Sequence, residues 1–253
     1  MGGVVNAPTK LWVVVPAYQE EARIEGTLNA LAAQRDREFT LLVADNGSTD
    51  RTVAKVRAFA ERAPFPVEVL VEPEKGVGSA IDTGFRHAIA RGATLLARTD
   101  ADCLPEPGWT AAARAGMTES RGLVCGRVTA RRDEHGPAGR AVFLVLVALG
   151  AFFGRIRPAH RRRHGYLTPY RMHAGNNMAI TAELYEAVGG MPRRPSPTDR
   201  AFINRVRRHT TAIVHRRDMV VQNSTRRIRA YGVAGTARWY LERGPGGRSA
   251  DVR

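Results

Sequence analysis

Thr94-Leu95-Leu96-Ala97-Arg98-Thr99-Asp100-Ala101-Asp102 is the stretch on which the reading of this 253-residue chain turns. Thr94 to Ala97 has the apolar character of a buried strand, and two carboxylates follow one residue apart. In extended backbone, side chains at i and i+2 leave the same face, so both carboxylates can aim at one point beyond the strand end. Oxygen donors there suit a hard cation, Mg²⁺ or Mn²⁺, of the kind that neutralises a bound nucleotide diphosphate. Two acids with a one-residue gap also arise by chance in solvated turns, so the pair carries weight only through its company.

Upstream, short apolar runs alternate with helical periodicity. Leu11 to Val15, Thr40 to Ala44 and Val67 to Val71 read as further buried strands. Ile24, Leu28 and Leu31 mark one amphipathic helix, Val53, Val56 and Ala60 a second, and Ile81, Phe85 and Ile89 a third. This alternation predicts βαβ units and a mainly parallel, Rossmann-like sheet with flanking helices. Ligands of such sheets gather at the carboxyl ends of the strands, where this chain is richest in Gly, Asp, Asn, Ser and Pro.

Downstream the pattern is less regular. Pro107 suits the opening of a helix, Leu123 to Thr129 reads as a strand, and helices are expected from about Ala182 and over Asp199 to Arg208. The apolar run Ala141 to Phe153 falls short of the ~20 residues a membrane span needs. A buried helix is its first reading, with an interfacial membrane contact or an apolar acceptor groove as alternatives. Arg155 to Arg171 reads as a mobile basic loop. The expected organisation is one compact unit: a flexible start (1–9), a nucleotide-binding half (10–105), an acceptor-binding half (106–242) and a flexible tail (243–253).

A formal charge of +15 predicts attraction to something anionic: nucleic acid, an acidic membrane surface or phosphorylated substrates. Only Lys10, Lys55 and Lys75 are lysines, so 39 − 3 = 36 basic residues are arginine, and compositional bias competes as the cause. Cys103 and Cys125 make no disulfide framework and have no zinc-ligand spacing around them. With no apolar leader read at the start, a cytoplasmic location is expected, with peripheral membrane contact allowed.

The motifs fall in a telling order. Val13-Val14-Val15-Pro16-Ala17-Tyr18-Gln19-Glu20-Glu21 comes first, then Val43-Ala44-Asp45-Asn46-Gly47-Ser48-Thr49-Asp50, then Asp100-Ala101-Asp102. Gly175-Asn176-Asn177-Met178-Ala179-Ile180 and Thr198-Asp199 follow. The series is similar to that of the family 2 glycosyltransferases of GT-A fold, over roughly residues 10 to 228. The resemblance implies an inverting transfer of one sugar from a nucleotide diphosphate donor to an acceptor hydroxyl, assisted by Mn²⁺ or Mg²⁺. A UDP-sugar is favoured. The acceptor is left open among a saccharide, a polyprenyl phosphate and a small metabolite, and oligomeric state is not indicated.

Residue by residue, the resemblance implies nucleotide contacts for Pro16, Ala17, Tyr18, Glu20 and Asp45, and for Asp100 and Ala101. Asp45 can accept a hydrogen bond from a base N–H; turn and capping chemistry with Ser48 is its alternative. Lys75-Gly76-Val77-Gly78 resembles the family's glycine-bearing segment near the nucleotide, and Asp82 stands where many relatives carry asparagine. The resemblance implies that Asp102 ligates the cation and that Asp100 reaches the ribose or a metal-bound water; Asp100 and Asp102 are thus the expected metal-site residues, with His215 as a further candidate. Asp199 is the expected general base, at a helix start where the dipole keeps it ionised, with a plain N-cap as alternative. Asn176, Asn177, Thr198, Arg226 and Arg227 are candidates for the acceptor or diphosphate. Gly235 replaces the glutamine of the processive synthases' Gln-x-x-Arg-Trp signature, which argues against polymerisation. The rival readings are a basic module binding nucleic acid or anionic lipid, and a sugar nucleotidyltransferase. The first has thin aromatic support in Tyr166 and Tyr170, and nucleic acid is not an expected partner; the second lacks its glycine-rich loop after the first strand.

Overall fold

The computed structural model describes residues 9–134, 136–156, 165–171, 174–193 and 198–226, with isolated positions at 230, 232 and 235. The termini and part of the basic segment expected to be mobile lie outside the described residues.

The first strands, β1 (Leu11–Ala17), β2 (Phe39–Asp45) and β3 (Val67–Val71), alternate with helices α1 (Ile24–Ala32), α2 (Thr52–Ala60) and α3 (Val77–Ala90), and β4 (Leu95–Thr99) follows. All seven residues of β1 are buried, as befits a strand covered on both faces. β1 lies between β2 and β4, parallel to both, and β3 extends the sheet beyond β2. Chain order therefore reverses at β1, and the crevice at its carboxyl end is where ligands of such sheets bind.

The second half comprises β5 (Leu104–Pro105), α4 (Trp109–Ser120), β6 (Leu123–Ala130), α5 (Pro137–Ile156), β7 (Asn177–Thr181), α6 (Ala182–Ala187), α7 (Thr198–His209) and β8 (Ile213–Asn223). The eight-stranded sheet runs β3-β2-β1-β4-β7-β6-β8-β5. The pairs β4–β7, β6–β7 and β5–β8 are antiparallel, while β6–β8 is parallel, so the sheet is mostly parallel with antiparallel strands in this half. One core packs α1, α2 and α4 on one face, and a second packs α3, α6 and α7 on the other.

Two expectations are corrected here. Asn177 to Thr181 is an inner strand, not merely the approach to a helix; it sits between β4 and β6, with Thr99 paired to Asn177. α5 is not a buried helix: its contacts are chiefly with β6, and Val142, Leu144, Val145, Leu149 and Phe152 are exposed.

Candidate active site

The loops after β1 and β2 are tied to each other by side chains. Gln19 holds a left-handed backbone (φ 55), a conformation that costs energy for a non-glycine residue, and spends its amide on the facing loop. Its Oε1 accepts the Thr49 N–H at 2.8 Å, and its own N–H donates to Ser48 Oγ at 3.0 Å. Asp45, buried at the end of β2, accepts from the Gly47 and Ser48 N–H groups on Oδ2. Its Oδ1 is buried with no hydrogen-bond partner among the described residues, a costly state for a carboxylate oxygen unless a ligand completes it. Asn46, which the sequence reading passed over, clamps the segment after β3: its amide donates to the Glu72 and Glu74 carbonyls and accepts from the Gly76 N–H at 2.7 Å. That draws in Lys75, whose Nζ donates to the Asn46 carbonyl and lies 4.0 Å from the centre of the Tyr18 ring. Pro16 and Ala17 are buried strand residues beneath this crevice.

Thr27 of α1 fixes the turn after β4, its hydroxyl lying 2.8 Å from the carbonyl oxygens of both Ala101 and Cys103. Two arginines then organise the carboxylates. Arg98 is almost wholly buried; its guanidinium sits 3.0 Å from Asp100 Oδ1 and 2.7 Å from Asp199 Oδ1. Burial works against the Arg98 charge, yet Asp100 and Asp199 more than restore it and raise the pKa above its ordinary value. For Asp100, burial prevails and pushes the carboxyl up, with Arg98 opposing. Arg226, just beyond β8, is the second bridge, 2.8 Å from Glu20 Oε1 and 3.3 Å from Asp102 Oδ2. Burial also pushes Glu20 up against the pull of Arg226. Both triads place one guanidinium between two carboxylates, so each keeps negative charge in excess when both carboxylates are ionised.

Asp199 reaches Arg98 because Gly175 leaves room. A Cβ at 175 would lie 1.9 Å from Asp199 Oδ2. Beside it, Asn176 donates to Cys103 Sγ at 3.2 Å, and its Oδ1 is buried without a partner among the described residues. The Cys103 thiol is pushed well up by burial and by Asp102, so it remains an unreactive neighbour. Asp100 Oδ2 and Asp199 Oδ2 accept no hydrogen bond among the described residues, and both side chains are partly exposed.

Other expected site residues are employed elsewhere. Asn177 is fully buried, with its amide donating to the Arg127 and Met219 carbonyls and accepting from Trp109 Nε1, so it binds strands together and has nothing left for an acceptor. Asp82 is buried and accepts from Tyr185 Oη, the Met191 N–H and Arg86, which anchors residues 189–193 to α3. Gly78 does permit a close approach, but by the chain itself: an added Cβ would lie 2.2 Å from the Pro192 carbonyl oxygen and 2.3 Å from Thr198 Cγ2. Thr198 is thereby turned toward α3. His215 does not join Asp102. It stands near the start of β8, lining a pocket with Arg171 and Arg207, while Asn223 at the far end of the strand is the residue beside Cys103. Arg227 lies outside the described residues.

Arg98 is the residue whose importance sequence reasoning missed. Its signal was an arginine inside an otherwise apolar strand, where a buried cation demands carboxylate partners.

The family described as Glycosyl transferase family 2 matches residues 12–188, a span that includes the loops after β1 and β2 and the Asp100–Asp102 turn. The chain belongs to this family. Among curated relatives, glycosyltransferase AglE of Haloferax volcanii is 35% identical over 100 residues, 38% of this chain and 32% of AglE, so the family 2 chain spans about a third of that relative's length. Among solved structures, TarS of S. aureus in complex with UDP superposes with a TM-score of 0.61 at 18% identity, covering 86% of this chain and 61% of TarS. The mannosyltransferase PcManGT of Pyrobaculum calidifontis, in complex with GDP-Man and Mn²⁺, gives 0.60 at 23% identity, covering 96% and 67%. At these identities the likeness establishes the GT-A fold.

Proposed function

We propose that the chain transfers one sugar from a nucleotide diphosphate donor to an acceptor hydroxyl with inversion, and that Asp199 is the general base. The Arg98 bridge carries the reading: one buried guanidinium gathers Asp100, at the carboxyl end of β4, and Asp199, from the acceptor-side helix α7. A base that enters from the half opposite the nucleotide loops suits attack on the anomeric carbon from the face away from the diphosphate. Asp199 Oδ2 takes the acceptor proton as the hydroxyl oxygen bonds to that carbon, and the electron pair of the broken C–O bond leaves with the diphosphate.

Asp45 Oδ1 supports a uridine donor, because one open acceptor matches the single N–H of uracil. TarS with UDP favours the same base, and PcManGT with GDP-Man the alternative. The donor set fits a hard cation, since Asp100 offers an uncommitted, accessible carboxylate oxygen and Asp102 stands one residue on. Asp100 and Asp102 would hold Mn²⁺ or Mg²⁺, whose bound charge would stabilise the diphosphate as leaving group. Arg226 lies where its guanidinium can also fork onto phosphate oxygens. A saccharide, a polyprenyl phosphate or a small metabolite can each supply the acceptor hydroxyl.

The test is a transfer assay over a panel of nucleotide sugars with Mn²⁺, comparing wild type with Asp199→Asn. Turnover is expected to fall about 10²–10⁴-fold, while the melting-temperature rise caused by UDP and Mn²⁺ is retained. Full turnover in the variant rejects Asp199 as base. A wild-type protein stabilised by no nucleotide diphosphate rejects the donor site.

A further inference from the structure

We propose that α5 seats this protein on an anionic lipid surface. The 20-residue helix carries no charged side chain from Ala141 to Phe153, and its outward face is the apolar one. Val142, Val145, Leu149 and Phe152, spaced by three, four and three residues, form a single stripe along the helix, and Leu144 flanks it. An apolar stripe of this size turned to water marks an interaction surface rather than ordinary surface scatter. No helix among the described residues is long and apolar enough to cross a membrane, so the fitting geometry is a helix lying in the interface plane.

Charge selects the occupant. Between Glu134 and Glu183 the sequence contains no acidic residue, but it contains Arg140, Arg155, Arg157, Arg171 and the arginine run 161–163. A second copy of this chain docked through the same face would bring two such basic stretches together and repel. Anionic headgroups neutralise them while the acyl region covers the stripe. The helix is also positioned to matter. It begins three residues after Glu134, whose carboxylate accepts from the Thr225 N–H and from Ser224 Oγ, next to Arg226. Arg131, in the same connection, donates to the Asp102 carbonyl at 3.0 Å. Resting on the transferase reading, docking through α5 would bring hydroxyls of lipid-borne acceptors toward the Asp102 and Asp199 crevice.

Co-sedimentation of the full chain with vesicles tests the docking without reference to activity. Wild type is expected to sediment with phosphatidylglycerol vesicles, less with pure phosphatidylcholine, and less again at high salt. Val145→Glu/Leu149→Glu is expected to lower partitioning about tenfold or more, whereas Arg57→Gln/Arg62→Gln, the same charge change on α2 and the turn that follows it, retains most of it. The proposal is overturned if wild type stays in the supernatant or if the α5 variant sediments like wild type. A concentration-dependent dimer dispersed by the α5 variant, without vesicle binding, would assign the face to a second copy. A large fall in melting temperature of that variant, again without vesicle binding, would assign it to another segment of the chain. Vesicle binding by a protein that no nucleotide diphosphate stabilises would keep the docking and remove the transferase.

Discussion

Helix α3 mixes polar and apolar positions and buries Ile81 and Phe85 completely against β1 and β2, whereas α5, more apolar in composition, leaves Val145 57% and Phe152 59% exposed. The difference lies in what stands opposite. α3 is a crossover between parallel strands and must lie on the sheet, so even Asp82 and Ser79 are drawn under cover. α5 leaves the sheet after β6 and meets little of it afterwards. Apolar composition sets what burial would be worth, and topology sets whether the protein itself provides it.

The comparison can be broken at both ends. Phe85→Ala should cost the largest amount, about 3–5 kcal/mol in urea unfolding, because a fully buried ring leaves a cavity among Tyr185 and its neighbours. A loss under 1 kcal/mol would mean that α3 is loosely seated. Arg98→Met tests the charged occupant of the same face. Removing the cation that Asp100 and Asp199 share should destabilise by about 3 kcal/mol or more, and Asp199→Asn in that background should recover part of it. Equal stability of Arg98→Met and wild type would show that the two carboxylates need no common partner.

A smaller effect is expected where α4 fastens to the segment before β2 through Arg114 and Asp36, 2.8 Å apart. Burial would raise the Asp36 carboxyl, but hydrogen bonds from Arg114 and the Glu38 N–H outweigh it and hold it below its ordinary 3.8. A depressed folded pKa gives stability that is present above the unfolded value and is lost as pH falls through the folded one. Melting temperature should therefore drop on acidification below about 3.8 more steeply in wild type than in Asp36→Asn. Matching pH profiles would remove that pair from the account. Least of all, Leu149→Ser should change the stability of the free protein by within about 0.5 kcal/mol. A cost of 2 kcal/mol would place α5 in a protein core after all.

How far the fold was legible follows the same division. The strands from Leu11 to Thr99 were found to within two residues at either end, because βαβ alternation is a local pattern with a long-range meaning. Asn177 to Thr181 was missed as a strand, since its partners Thr99 and Cys125 lie far away in sequence and a five-residue apolar run has no period of its own. In the site, Asp45, Asp100, Asp102 and Asp199 were named from motif order, and the structure gathers the last three around Arg98 and Arg226. Asn177 and Asp82 bear the same residue types but serve as internal ties, a distinction that depends on burial and on which donors reach them.

Residue order alone determined the alternating α/β plan, the carboxylates at the strand ends and the excess of positive charge, because each is a property of neighbouring positions or of composition. Only the tertiary structure decided that Arg98 joins Asp100 to Asp199, that Arg226 returns to Glu20, and that α5 turns its apolar stripe outward. These depend on contacts between segments up to 206 residues apart, and on whether a surface lies opposite a given face, which no local pattern encodes.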